Sequence, residues 1–171
     1  MTFGGANSLD NRFTGPDEAM DWLRWSDDAR AISAESFKGV DTMLMGRKTL
    51  EFAQRMGPGG GAYPGIATYV FSRTLESVPK GVELVREDAA GFVRDLKSRQ
   101  GGDIIVMGGG ELGAALLDGG VIDEIGLNIH PILLGAGTPL FHPMARPIEL
   151  ELIEARPIER ECVLVRYRVK H

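Results

Sequence analysis

Up to about position 120, apolar residues come in short runs separated by turn formers; afterwards two stretches show period-two alternation. Residues 40–45 (VDTMLM), 66–71, 82–85 and 103–107 are too short for helices and rich in bulky or branched side chains, so they read as buried strands. Residues 2–6 supply a further short strand at the start. Between these runs, residues 47–55 place Leu50 and Ala53 on one side, and residues 88–99 do the same with Phe92, Val93 and Leu96. Both segments are predicted helices. A longer helix is predicted over residues 16–33: Pro16 suits a first helical position, Asp17 and Glu18 suit a first turn, and Met20, Leu23, Ala29 and Ile32 recur at helical spacing.

Glycine and proline crowd residues 57–65 (GPGGGAYPG), where regular structure is excluded and a mobile loop is expected. After Leu117, Ile125, Leu127 and Ile129 alternate with Gly126, Asn128 and His130, and Val163, Val165, Tyr167 and Val169 do so with Leu164, Arg166 and Arg168. Period two of this kind suits antiparallel strands. Strands alternating with helices, then alternating strands, predict an α/β fold with a mixed, mostly parallel sheet and an antiparallel C-terminal section. In such a sheet, ligands gather at the carboxyl ends of the parallel strands.

Composition narrows this picture. A length of 171 residues, 43% hydrophobic and 25% charged, fits one soluble domain spanning residues 1–171. No apolar run approaches the roughly 20 residues of a membrane helix. The N-terminus lacks the pattern of a signal peptide, so a cytoplasmic location is expected. The single cysteine, Cys162, excludes an intrachain disulfide and reads as a packed thiol. His130, His142 and His171 have no metal-ligand spacing, so no metal is expected. A net charge of −5 gives no general attraction to nucleic acid. Any anion must be held by a local cluster.

Three strand-to-helix or strand-to-loop turns offer such clusters. Gly108–Gly109–Gly110–Glu111–Leu112 follows an apolar strand, and glycines there let a backbone approach a phosphate while the next helix aims free N–H groups at it. The spacing also satisfies G-x-G-x-x-G. A Rossmann site would then need an acidic residue at the end of the following strand, but Asp123 and Glu124 stand at its beginning, and it ends in His130 and Pro131. Gly46–Arg47–Lys48–Thr49 adds two cations and a hydroxyl at a helix start; the alternative is a solvated first turn. Ser72–Arg73–Thr74 adds a guanidinium and two hydroxyls; the alternative is an ordinary turn. Jointly the three suit a dinucleotide, and Arg47 with Arg73 suit the 2′-phosphate that separates NADPH from NADH.

In order along the chain, SLD (Ser8 to Asp10), MGRKT (Met45 to Thr49), YVFSRTL (Tyr69 to Leu75), VMGGGEL (Val106 to Leu112) and IDEIGLNIHPILLGAGTPLF (Ile122 to Phe141) resemble the reductase domain of riboflavin biosynthesis and its relatives of the dihydrofolate reductase-like three-layer fold. The resemblance implies an NADPH-dependent, commonly homodimeric protein. It implies cofactor contacts from Gly46, Arg47, Lys48 and Thr49, from Ser72 and Arg73, and from Gly108, Gly109, Gly110, Glu111 and Leu112. It also brings Asn7, Ser8, Leu9 and Asp10 near the nicotinamide, with Asp10 the candidate catalytic carboxylate.

Two departures bear on the substrate. Where dihydrofolate reductases carry a carboxylate about sixteen residues before the GR motif, this chain has Arg30, with Asp27 and Asp28 offset, which disfavours folate. Family SLDG reads SLDN, with Asn11 at the turn glycine. The zinc ligands of the deaminase often joined to the riboflavin enzyme are not supplied here. The expected activity is hydride transfer from NADPH to a carbonyl or imine of a small polar, pyrimidine-, pterin- or sugar-like substrate, the proton coming from water or Asp10. The alternative is a non-catalytic nucleotide-binding sensor of the same fold.

Overall fold

The computed structural model describes residues 1–57 and 60–171, so Pro58 and Gly59 of the expected glycine–proline loop lie outside the described residues. Among the described residues, eight strands and four α-helices follow in the order β1 (Thr2–Ser8), α1 (Asp27–Ser36), β2 (Val40–Gly46), α2 (Arg47–Met56), β3 (Ala67–Phe71), β4 (Val82–Val85), α3 (Ala89–Lys97), β5 (Asp103–Met107), α4 (Gly110–Asp118), β6 (Glu124–His130), β7 (Leu150–Ile158) and β8 (Cys162–Val169). The strands form one sheet in the order β4-β3-β2-β5-β1-β6-β8-β7. From β4 to β6 all neighbours are parallel; β8 runs antiparallel to both β6 and β7. The mixed sheet is therefore as expected from the alternating pattern.

The predicted helix over residues 16–33 is corrected. Pro16–Glu18 forms only a short 3-10 turn in which Asp17 and Glu18 take φ of 57° and 59°, and the chain stays irregular to Ser26. Ser26 then caps α1, its hydroxyl accepting from the Ala29 N–H. Two acidic residues follow in the first turn. Strand β7 was not anticipated: Glu151, Glu154 and Arg156 interrupt its apolar positions, Pro157 lies within it, and its outer edge is unpaired.

Two cores sandwich the sheet. Phe3, Leu44 and Val106 pack with Val93 of α3 and Leu116 of α4 on one face, while Met43, Met45, Val70 and Ile105 pack with Leu50 of α2 on the other. Cys162 is buried beside Ile158 and Leu164, as a packed thiol should be. Burial raises its pKa.

Helix α1 behaves differently from the others. Ala29 is its one buried residue, and its N-terminus is tied to the β7–β8 connection: the Asp27 N–H donates to Glu159, and the Glu159 N–H donates to Asp28. Between α1 and the sheet lies a cavity of about 1140 Å3, with Gly4, Ala6 and Gly126 contributing to its wall. Small side chains on these strands leave room between the sheet and α1. Among the described residues, no helix is long and apolar enough to cross a membrane.

Candidate active site

Strand order decides where the site falls. The chain leaves β2 toward β3 and leaves β5 in the opposite direction, toward β6, yet β2 and β5 are neighbours. A crevice opens outside the carboxyl ends of such a pair. The turns after β2, β5 and the adjoining β3 are the three singled out in the sequence, so Gly46, Arg47, Lys48, Thr49, Ser72, Arg73 and Gly108 to Leu112 follow three adjacent strands on one rim.

Their detail is informative. Asp88 caps α3 by accepting from the Gly91 N–H, as Ser26 caps α1. Helices α2 and α4 begin at Gly46 and Gly109, with no side-chain cap on either. Their first-turn N–H groups thus lack the acceptors that the other two helices build in. A Cβ on Gly46 would meet nothing within 4 Å, whereas one on Gly108, at φ +67°, would stand 2.4 Å from Thr49 Oγ1. One turn leaves room for a ligand, and the other is packed against the first.

Alongside, β1 pairs with β5 only over Thr2 to Gly4 but with β6 as far as Ser8. A gap is left between the ends of β1 and β5, next to Gly108. Asn7 stands at this end of β1, almost fully buried; its Nδ2 donates to the Ser8 carbonyl at 2.9 Å, and its Oδ1 has no partner among the described residues. Met107 and Gly108 border the large cavity as well, so the rim and the cavity are continuous.

The cations are arranged differently from the expectation. Arg47 is held by Glu51 of its own helix at 2.7 Å. Arg73 is exposed and has no ion pair among the described residues, and Arg86, at the end of β4, donates to the carbonyls of Arg73 and Leu75. Arg86 therefore brings a second guanidinium to the Arg73 turn. Sequence reasoning missed it, because only the register of β4 on β3 brings it there. Ser72 Oγ accepts from the N–H groups of Thr74 and Leu75 and so shapes the turn.

Asp10 is bonded on both oxygens. Oδ1 accepts from Ser8 Oγ at 2.6 Å and Leu134 N at 3.0 Å, and Oδ2 accepts from Gly135 N at 2.8 Å. The Ser8 hydroxyl and the Leu134 N–H lower its pKa to about 2. An ionised carboxylate with this set of donors is no proton source near neutral pH. Its observed work is to bind the loop after β1 to the loop after β6. Asn11 adopts φ 62°, a left-handed conformation that asparagine tolerates, so the turn survives the loss of the family glycine.

This clamp has a measurable pH signature. The folded-state pKa of Asp10 lies below the unfolded value of 3.8, so its contribution is present above 3.8 and lost as pH falls through about 2. Asp10→Asn is expected to lower the thermal midpoint near neutral pH, with the gap from the natural protein closing in that acid window. A gap that stays constant down to pH 2 would contradict the clamp.

Other expected residues are placed as follows. Lys48 and Glu111 are exposed, and Thr49 and Leu112 are turned inward. Arg30 is exposed and lies 3.8 Å from Asp27, whereas Asp28 lines the cavity with Oδ2 taken by the Glu159 N–H. Asp123 pairs with Lys97 before β6 begins, at the opposite rim, which removes the Rossmann reading. A separate hollow of about 260 Å3 also lies at that opposite rim, beside Asp41, Lys97 and Gly102. It is remote from all three turns.

Sequence reasoning also passed over His130. It is 2% exposed, borders the cavity together with Asn128, and meets Trp22 edge-on at 5.2 Å. The signal was available in the polar positions of β6, which alternate with Leu127 and Ile129.

Comparison with known proteins bears on the family and the fold. The RibD C-terminal domain family matches residues 2–164. The protein YwjB of Bacillus subtilis strain 168 is 31% identical over 149 residues, covering 86% of this chain and 85% of YwjB; YyaP of the same strain is 27% identical over 172 residues, covering 95% and 90%. Among solved structures, a protein of Shewanella sp. PV-4, provisionally named for riboflavin biosynthesis, superposes with a TM-score of 0.86 at 24% identity over 99% of this chain and 98% of its own. A Thermotoga maritima deaminase/reductase gives 0.73 at 18% identity, and this chain spans 56% of it. Dihydrofolate reductase of Enterococcus faecalis, solved with NADP(H), gives 0.72 at 14% identity over 99% of this chain and 96% of its own. The fold is thus dihydrofolate reductase-like, and the chain belongs to the RibD C-terminal domain family.

Proposed function

We propose that this protein is an NADPH-dependent reductase that delivers hydride to a carbonyl or imine of a small polar substrate held in the cavity beneath α1. The observation that carries this reading is the pair of helix starts without side-chain caps, α2 and α4, flanking the β2/β5 crevice and opening onto the cavity. Backbone N–H groups of Gly108 to Leu112 and of Arg47 to Thr49 would hold the phosphates of the cofactor. The free space at Gly46 and the unpartnered Oδ1 of Asn7 both fit it, the second as acceptor for a carboxamide N–H. Bound there, NADPH supplies the hydride.

The chain's own groups then position and desolvate. Arg73, with Arg86 beside it, would receive the 2′-phosphate; Arg47 contributes less because Glu51 already compensates it. Asp10 acts as a positioning residue through its clamp, and water supplies the proton. Arg30 stands at the position counted back from the GR motif, and Asp28, the α1 carboxylate that borders the cavity, already has Oδ2 taken by the Glu159 N–H, which favours a pyrimidine- or sugar-like substrate over folate. We also propose a homodimer, for which exposed Leu150, Leu152 and Val163 on the C-terminal hairpin offer apolar surface.

The test combines an NADPH binding titration with NADPH oxidation over carbonyl, imine and pterin compounds. Binding with turnover supports the reductase; binding without turnover on every compound favours a nucleotide sensor. Arg73→Glu is expected to raise the Kd for NADPH roughly tenfold to a hundredfold, the scale of a lost charge-assisted contact. The Kd for NADH should hardly move. Equal loss for both cofactors would refute the 2′-phosphate assignment.

A further inference from the structure

His130 sits at the carboxyl end of β6, in register with Ser8 of β1, two residues before Asp10. Its ring borders the large cavity, and nothing in the reading above uses it. Its Nδ1 lies 3.1 Å from the backbone carbonyl of Asn128. A carbonyl only accepts, so Nδ1 carries the proton. Burial, the largest influence, disfavours the imidazolium; the Asn128 carbonyl pulls the other way, and the charge of Arg24 adds a smaller push in the direction of burial, so the pKa is lowered. The ring is therefore neutral, and Nε2 is left with a lone pair and no hydrogen-bond partner among the described residues. The edge-on contact with Trp22 and the Nδ1 bond hold the ring in this orientation.

Asn128, two positions back and so on the same face of β6, also borders the cavity. A side-chain amide offers both a donor and an acceptor, so Asn128 suits either kind of group and the selection comes from His130. A carboxylate or phosphate, which only accepts, would meet the Nε2 lone pair; an amino, ring N–H or hydroxyl group would satisfy it.

We propose that His130 is a specificity-determining residue of the cavity, its Nε2 accepting a hydrogen bond from an N–H or O–H donor of the substrate. The assignment rests on the reading of this cavity as the substrate site of a reductase. It selects substrates with a donor-bearing edge and rejects those that present an acid at this position.

The test uses the full chain labelled with 15N-histidine, with and without NADPH, titrated with 2,4-diaminopyrimidine as a donor-rich probe and with unsubstituted pyrimidine as its comparator. His130 Nε2 should resonate as an unprotonated nitrogen and shift when the diamino probe binds, while the comparator binds at least tenfold more weakly. His130→Gln, which keeps an acceptor, should retain the probe within about threefold, whereas His130→Phe, which keeps the packing on Trp22, should lose it at least tenfold. NADPH affinity should be the same in all three proteins. A His130→Phe protein that binds the probe like the natural one, an Nε2 resonance that ignores bound probe, or no binding of the probe in either state would overturn the proposal. Loss of probe in His130→Phe without any NADPH binding would uphold the residue and refute the reductase reading instead.

Discussion

Gly4→Ala is expected to cost the protein about 3 kcal/mol or more, the upper end of what overpacking does. A Cβ at this position would stand 1.8 Å from the carbonyl oxygen of Gly126 and 2.8 Å from its carbon. These are backbone atoms of the paired strand β6, so no side-chain rotation relieves the contact; β1 and β6 must move apart. Their pairing, from Thr2 to Ser8, carries the β1 wall of the proposed active-site gap. For a domain of this length such a loss lowers the thermal midpoint by roughly 10 °C. A midpoint within 2 °C of the natural protein would show that the strands separate at little cost, and the close approach of β1 to β6 would not be what shapes the cavity floor.

Gly108→Ala is expected to spare the fold and lose the cofactor. The added Cβ combines a left-handed backbone with a contact of 2.4 Å to Thr49 Oγ1, and Thr49 belongs to the first turn of α2. Pushing that turn away from α4 displaces both sets of N–H groups at once. A displacement near 1 Å can cost about a hundredfold, and we expect a fall of that order in NADPH affinity. Adding Thr49→Ala removes the hydroxyl and methyl that the new Cβ meets. The double variant should recover part of the loss, a coupling that independent sites would not show. Unchanged affinity in Gly108→Ala would mean that the two turns do not hold the ligand jointly.

Much of this was legible in the sequence because the physics is local. Residues 40–45, 82–85 and 103–107 are short and dominated by bulky apolar side chains, as strands of a covered parallel sheet are, and each was placed to within a residue. The three rim turns were legible as positions for the same reason: each follows directly on such a strand, so the strand order sets them side by side. The helix expected over residues 16–33 failed because Met20 and Leu23 copy helical spacing while serving as cavity wall, and because Ser26 with Asp27 and Asp28 already marked the true start. Strand β7 was hidden because its outer face is solvent, and exposed Leu152 and Ile153 broke the alternation.

Side-chain partnerships were less legible still. Nothing in SLDN says that Asp10 will be fully engaged by Leu134 and Gly135, more than 120 positions later. Nor does VREDA say that Arg86 will reach the Arg73 turn. These pairings depend on which strand lies beside which, and hence on the order in which the sheet is assembled.

The central claim is that a reduced dinucleotide lies across the β2/β5 crevice. Amide chemical-shift mapping of the full chain during an NADPH titration tests it most directly. Shifts should concentrate at Gly46 to Thr49, Gly108 to Leu112 and Arg73, leaving Asp41, Gly101 and Gly102 at the opposite rim unmoved. Shifts centred on that opposite rim, or saturation with none at the two helix starts, would contradict it.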